Sequence, residues 1–398
     1  MTQPSHSELA GVVRDHAGRL AAALVHLTGD FATAEDLVQD AVEAALVHWP
    51  AEGIPDRPDA WLFTVARRRG LDHLKRQERY RRKLALMRWP AESAPDDRLR
   101  LLFTCCHPAL PRTGQIALTL RAVCGLTTPQ IARAFLVPES TVAQRITRAK
   151  RKVGEAGIPY RVPDPDDLGA RLAEVLTVIY LLFNEGYLAT GGDRSHDRDL
   201  ADDAEFLAAL LHRLMPTEPE VTGLLALIRL HQARASARFD GQGRIVRLPD
   251  QDRRLWDHAA IEAAGTLIAR AAAHRRPGPY QLQAAIVACH AEAPRWDDTD
   301  WPQILVLYTM LLRLQPSPVT RLHRAIALRY AAGAGAALAE LDQLDEALDG
   351  YHLYHATRAE LLRALDRPQA ARAADERALT LAVNPAEIDL LRHRLQWT

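Results

Sequence analysis

Long apolar runs are missing from this chain. No stretch approaches the roughly 20 residues that span a bilayer, and the amino-terminal MTQPSHSELAG lacks the basic-then-apolar order of an export signal. A cytoplasmic protein with no membrane partner is the expectation. Cysteine is scarce as well. Cys105, Cys106, Cys124 and Cys289 include no C-x-x-C pair, which excludes the disulfide framework of a small secreted domain. Cys105-Cys106-His107 is half a metal site at most, because adjacent cysteines rarely chelate one tetrahedral ion and no second ligand pair follows; packing is the plainer role. Nucleophile–base spacing, a metal motif and a phosphate loop are absent, so no catalysis, cofactor or metal is expected. Aromatic residues make up only 6% of the chain.

What is present favours helices. Ala, Leu and Arg dominate, and 398 residues exceed one core, which suggests two or three domains. The net charge of zero hides a division: residues 1–154 hold 23 Lys+Arg against 16 Asp+Glu, and the remainder holds 27 against 34. All four lysines lie in the front part. A front at +7 and a rear at −7 imply that only the front meets a polyanion.

The sharpest pattern is TTPQIARAFLVPESTVAQRITRAKRK, residues 127–152. Thr127 or Thr128 suits a helix start, and Gln130 is spaced to complete a capping box with Thr127. Ile131, Ala132 and Phe135 supply the buried face. Pro138 ends this helix and opens another, where Glu139, Ser140 and Thr141 suit an amino terminus. Val142, Ile146, Ala149 and Val153 then form one apolar stripe. The opposite face carries Ser140, Gln144, Thr147, Arg148 and Arg151, flanked by Ala143 and Arg145. Amide, hydroxyl and guanidinium groups without a carboxylate can read base edges in a major groove. Arg145, Lys150 and Lys152 are better placed for phosphates. The plainer alternative is a solvated basic helix end.

Upstream, LTGDFATAEDLVQDAVEAALVHW (residues 27–49) reads as a helix capped by Thr33. Leu37, Val38, Ala41 and Ala45 face inward, with Glu35, Asp36, Gln39, Asp40 and Glu43 outward. From Arg67 to Lys83 there are nine basic residues against two acidic ones, a density that favours phosphate contacts. Trp61 and Phe63 precede that run. Both could hold unpaired bases by stacking, and anchoring a core is the alternative for Trp61.

These segments together resemble extracytoplasmic-function sigma factors. GDFATAEDLVQDAV is similar to region 2.2, which implies that Glu35, Asp36, Gln39 and Asp40 bind core RNA polymerase at the β′ clamp helices, with the β subunit as a further contact. Residues 60–83 resemble regions 2.3 and 2.4, which implies −10 element binding and melting by Trp61, Phe63, Arg67, Arg68, Arg69, Lys75 and Arg76. Arg68 stands where many members have Asn, so the −10 sequence does not carry over. Residues 125–153 resemble the region 4 helix-turn-helix. That resemblance implies −35 binding by Ser140, Thr141, Ala143, Gln144, Arg145, Thr147, Arg148 and Arg151, although Leu136-Val137 replace the usual glycine of the turn. The implied organisation is region 2 at 1–83, a linker at 84–97, region 4 at 98–154, a second linker at 155–170 and a helical extension at 171–398. The 14 residues of the first linker reach at most about 48 Å. With the width of the modules, that suffices for about 16 base pairs, roughly 55 Å of duplex.

In the extension, Arg324-Ala325, Leu328-Arg329 and Ala336-Ala337 recur 34 residues later as Arg358-Ala359, Leu362-Arg363 and Ala370-Ala371. That is the period of tetratricopeptide repeats, placed around residues 318–385, and with LLFTCCHPAL, IYLLFNEGY and YHLYHATRAELL the chain resembles the sigma-factor subgroup that carries a long carboxy-terminal helical, tetratricopeptide-like extension. DGQGRIVRLPDQD reads as a loop with a brief hairpin. Asn184-Glu185-Gly186-Tyr187 with Asp193, His196 and Asp197 forms a polar cluster suited to a ligand or protein surface. The expected fold is therefore all-α: a region 2 bundle, a region 4 helix-turn-helix and a carboxy-terminal repeat-like domain. Promoter DNA and core polymerase are the expected partners, and the extension is the candidate for control by a protein or small ligand, its acidic charge docking on the basic front. A one-component regulator with a helical sensor tail, and an interaction scaffold with solvated basic segments, are the alternatives.

Overall fold

Helices build nearly all of the computed structural model, which describes residues 6–28, 30–73, 98–135, 137–188, 200–242 and 244–396. The chain divides into two units, Met1–Leu214 and Met215–Thr398. In the first, α1(His6–Thr28), α2(Phe31–Glu52) and α3(Pro58–His73) precede α4(Arg98–Cys105), α5(Arg112–Ala122), α6(Thr128–Ala134), α7(Glu139–Glu155), α8(Pro165–Leu188) and α9(Leu200–Leu214). The expected linker at 84–97 lies outside the described residues, as do Lys75, Arg76, Asp193, His196 and Asp197.

The start of α2 departs from expectation. Asp30, not Thr33, is the cap: in extended backbone, its carboxylate accepts from the backbone N–H of Ala32 and Thr33 at 3.4 and 3.0 Å. A capping Asp suits the positive end of a helix better than a hydroxyl one turn later. Leu37, Val38, Ala41, Ala45 and Trp49 are buried along α2, and Trp49 meets Trp61 of α3 edge to face at 5.3 Å.

Two glycines bring α1 against the turn after α5. Gly125 has φ +70, and a Cβ there would lie 2.7 Å from the Cβ of Ala17; at Gly18 it would lie 2.8 Å from the carbonyl of Val123. Further on, Gly186 is a packing residue. A Cβ on it would come within 2.4 Å of the Ala201 backbone nitrogen, so α8 and α9 cross too closely for any side chain.

The second unit contains α10(Pro219–Gln232), α11(His258–Ala273), α12(Pro279–Glu292), α13(Trp301–Leu314), α14(Pro318–Ala332), α15(Ala334–Leu341), α16(Asp345–Leu348), α17(His352–Ala364), α18(Pro368–Leu381) and α19(Pro385–Gln396). The hairpin between α10 and α11 is a single bridge, Phe239 to Ile245. The helix pairs α14/α15 and α17/α18 begin 34 residues apart. The matched alanines Ala325, Ala359, Ala337 and Ala371 are all fully buried in one core with Leu362. Small side chains at these positions let paired helices approach closely.

Candidate nucleic-acid interface

The α6–α7 pair forms as local chemistry dictates. Gln130 Oε1 accepts the Thr127 backbone N–H at 2.8 Å, and the Gln130 N–H donates to Thr127 Oγ1 at 3.4 Å. This is a reciprocal capping box, which stabilises a helix start by about 1 kcal/mol. Ile131 and Ala132 are buried and Phe135 is half-buried. Leu136 lies outside the described residues, and Val137 closes the turn by donating to the Ala132 carbonyl at 3.0 Å.

Pro138 then precedes α7 as its cap residue. Val142, Ile146, Ala149 and Val153 are its buried residues; each buried Val or Ile contributes on the order of 1.5–3 kcal/mol. The other side lies open. Ser140, Ala143, Gln144, Thr147, Arg148 and Arg151 are exposed, with Thr141 and Arg145 half-buried at its edges. Arg151 meets Glu155 at 3.4 Å in a well-exposed pair, which restrains it little.

Lys150 departs from expectation. Its side chain is only 13% exposed and turns to α2, where it pairs with Glu35 and, at 2.6 Å, with Asp36. Arg121 of α5 approaches the same Glu35 carboxylate at 2.6 Å, while Gln39 Nε2 donates to the Arg121 carbonyl at 3.0 Å. Lys150 is thus engaged within the protein and not held out for a phosphate. The outward placement expected for α2 holds for Asp36 and Glu43 and partly for Asp40. It fails for Glu35 and Gln39, each 1% exposed. A carboxylate is tolerated there because two cations meet it.

On α3, Arg68 and Arg69 are exposed and Arg67 half-buried. Trp61 is half-buried against Trp49. Phe63 is 6% exposed and, like Leu62 and Ala66, is part of the buried core in this structure. The cysteines are packing residues too. Burial pushes the Cys105 thiol up and the Cys106 thiol up to about 12, far from the thiolate that nucleophilic or metal chemistry needs. Among the described residues no group of three His, Cys, Asp or Glu side chains is arranged to hold a metal, and no helix is long and apolar enough to cross a membrane.

Known proteins match these elements. The family described as Sigma-70 region 2 matches residues 12–80, and Sigma-70, region 4 matches residues 100–153. A family of unknown function, DUF6596, matches residues 171–272. The uncharacterized protein R00370 of Rhizobium meliloti is 49% identical over 91% of this chain and 89% of its own length. A probable ECF RNA polymerase sigma factor SigI of Mycobacterium tuberculosis is 30% identical; the match covers 39% of this chain and 58% of that protein. No solved structure matches. The two sigma-70 regions and the SigI likeness support a sigma-factor role in transcription initiation, with core RNA polymerase and promoter DNA as partners. The chain carries sigma-70 regions 2 and 4, non-enzymatic DNA-binding modules, ahead of a long helical region, and it belongs to one family with R00370 of Rhizobium meliloti.

Proposed function

We propose that this protein is a sigma factor of the extracytoplasmic-function kind that acts in the cytoplasm and rests in a closed form. The observation that carries the reading is the open face of α7, which offers amide, hydroxyl and guanidinium groups over a fully buried stripe. Gln144, Thr147 and Arg148 read base edges of the −35 element, with Ser140, Thr141, Ala143, Arg145 and Arg151 around them. Arg67, Arg68, Arg69, Lys75 and Arg76 hold phosphates near the −10 element, and Trp61 stacks on an unpaired base once it leaves Trp49. Glu35, Asp36, Gln39 and Asp40 bind the polymerase clamp.

The closed form follows from geometry. Arg121 and Lys150 of region 4 occupy Glu35 and Gln39, so polymerase must displace region 4 to reach them. The same displacement frees the two DNA modules to spread along a promoter. The helical extension, with helix pairs that repeat at the tetratricopeptide interval, regulates or stabilises this exchange.

A one-component regulator is the second reading, favoured by the fact that the α7 face is bare while the α2 face is covered. Run-off transcription with purified core RNA polymerase on genomic fragments separates the two. Specific transcripts from the full chain, lost with Arg148→Ala, support the sigma role. Tight duplex binding without polymerase and no transcripts would support the regulator.

A further inference from the structure

The second unit has a charged cleft that nothing in regions 2 and 4 explains. It is an open recess of about 640 Å³ lined by Arg247, Arg329, Glu360, Arg363, His393 and Arg394. The four guanidiniums come from four separate segments: the loop after α10, then α14, α17 and α19. Such convergence of like charge costs free energy unless something opposes it.

Two carboxylates oppose it in part. Asp375 is fully buried beneath the cleft and pairs with both Arg363 and Arg394. Glu360 sits at the rim, 33% exposed, and meets Arg329 at 3.0 Å, Arg394 at 3.2 Å and Arg247 at 3.6 Å. Arg247 also reaches Asp250 at 2.9 Å. Even with Asp250 included, positive charge is in excess. Burial, joined at Arg363 by the neighbouring Arg394, holds the Arg363 and Arg394 guanidiniums of the floor below their usual range.

The cleft has two levels. On the floor, Asp375 fixes the Arg363 and Arg394 forks in place, which is the pre-organisation that bidentate recognition of an oxyanion requires. At the rim, Arg247 and Arg329 share one partly exposed carboxylate that can swing away. We propose that this cleft binds a small ligand with two anionic groups, phosphate or carboxylate, one held by the floor arginines and the other by the rim arginines in place of Glu360. Its volume suits a small molecule, and the site stands apart from the sigma-factor reading because it requires neither polymerase nor DNA.

Isothermal titration of the full chain with pyrophosphate and, separately, citrate tests the proposal. Saturable binding of either supports it, and the preferred probe tells a phosphate ligand from a polycarboxylate. Each lost charged contact should weaken binding about tenfold or more, so Arg247→Ala with Arg329→Ala should weaken it at least that much. Both sites are more exposed than Arg394, and thermal unfolding checks that the variant folds. Glu360→Gln removes the internal competitor and should tighten binding. Absence of saturation by both probes up to about 10 mM, which corresponds to less than about 3 kcal/mol, would overturn the proposal. So would unchanged affinity in the double arginine variant.

Discussion

The acidic face of α2 and the basic face of α7 are both polar sides of amphipathic helices, yet one is covered and the other bare. On α2, Glu35 and Gln39 are 1% exposed beneath Arg121 and Lys150. On α7, Gln144, Thr147, Arg148 and Arg151 meet solvent. The difference comes from charge. Carboxylates on α2 find cations on the neighbouring module, whereas on the outward side of α7 the ion pair seen among the described residues is the exposed one of Arg151 with Glu155. Lys150 marks the border between the two faces, since it sits on α7 but is spent on the carboxylates of α2.

The comparison breaks most sharply at that border. Lys150→Glu sets like charge against Glu35 and Asp36 and leaves Arg121 alone to oppose the buried Glu35 carboxylate, which should cost the closed form about 3 kcal/mol. Cys124 reports the opening. It is buried between Val123 and Gly125, both of which lie against α1. Its labelling by a thiol reagent should accelerate on the order of 100-fold, as expected for a local opening equilibrium shifted by that amount. On the bare face, Arg148→Ala should lose about 1–3 kcal/mol of discrimination, seen as weaker transcription from the chosen promoter with unchanged polymerase affinity. The smallest effect should come from Gln130→Ala. Loss of the capping box should lower stability by about 1 kcal/mol, measured by chemical denaturation, with promoter choice unaltered.

Much of this contrast was legible in the residues, for identifiable reasons. The α7 stripe follows helical periodicity, so Val142, Ile146, Ala149 and Val153 were found from spacing alone, and the exposed face followed by elimination. The Thr127–Gln130 box and the 34-residue repeat of α14/α15 in α17/α18 are likewise local signals. Glu35 and Gln39 were misplaced because periodicity separates polar from apolar and says nothing about a second polar surface docking on the first. Arg121 and Lys150, 86 and 115 residues away from Glu35 in the chain, carry no local mark of that role. Phe63 turns inward for a related reason: an aromatic beside a basic run fits both a base and a core, and its burial is set by the fold and not by the local pattern. The arginine cleft was invisible because its four members lie on segments that only the fold brings together.

The central claim is that region 4 covers the polymerase-binding face of region 2 until polymerase displaces it. The most direct test is the distance between spin labels at Glu43→Cys and Glu155→Cys, both exposed positions, in a Cys289→Ser background. It would be measured on the protein alone and with core RNA polymerase. The account predicts one short, narrow distance in the free protein and a long one in the complex. A long, broad distribution in the free protein, or a short distance that persists unchanged in the polymerase complex, would contradict it.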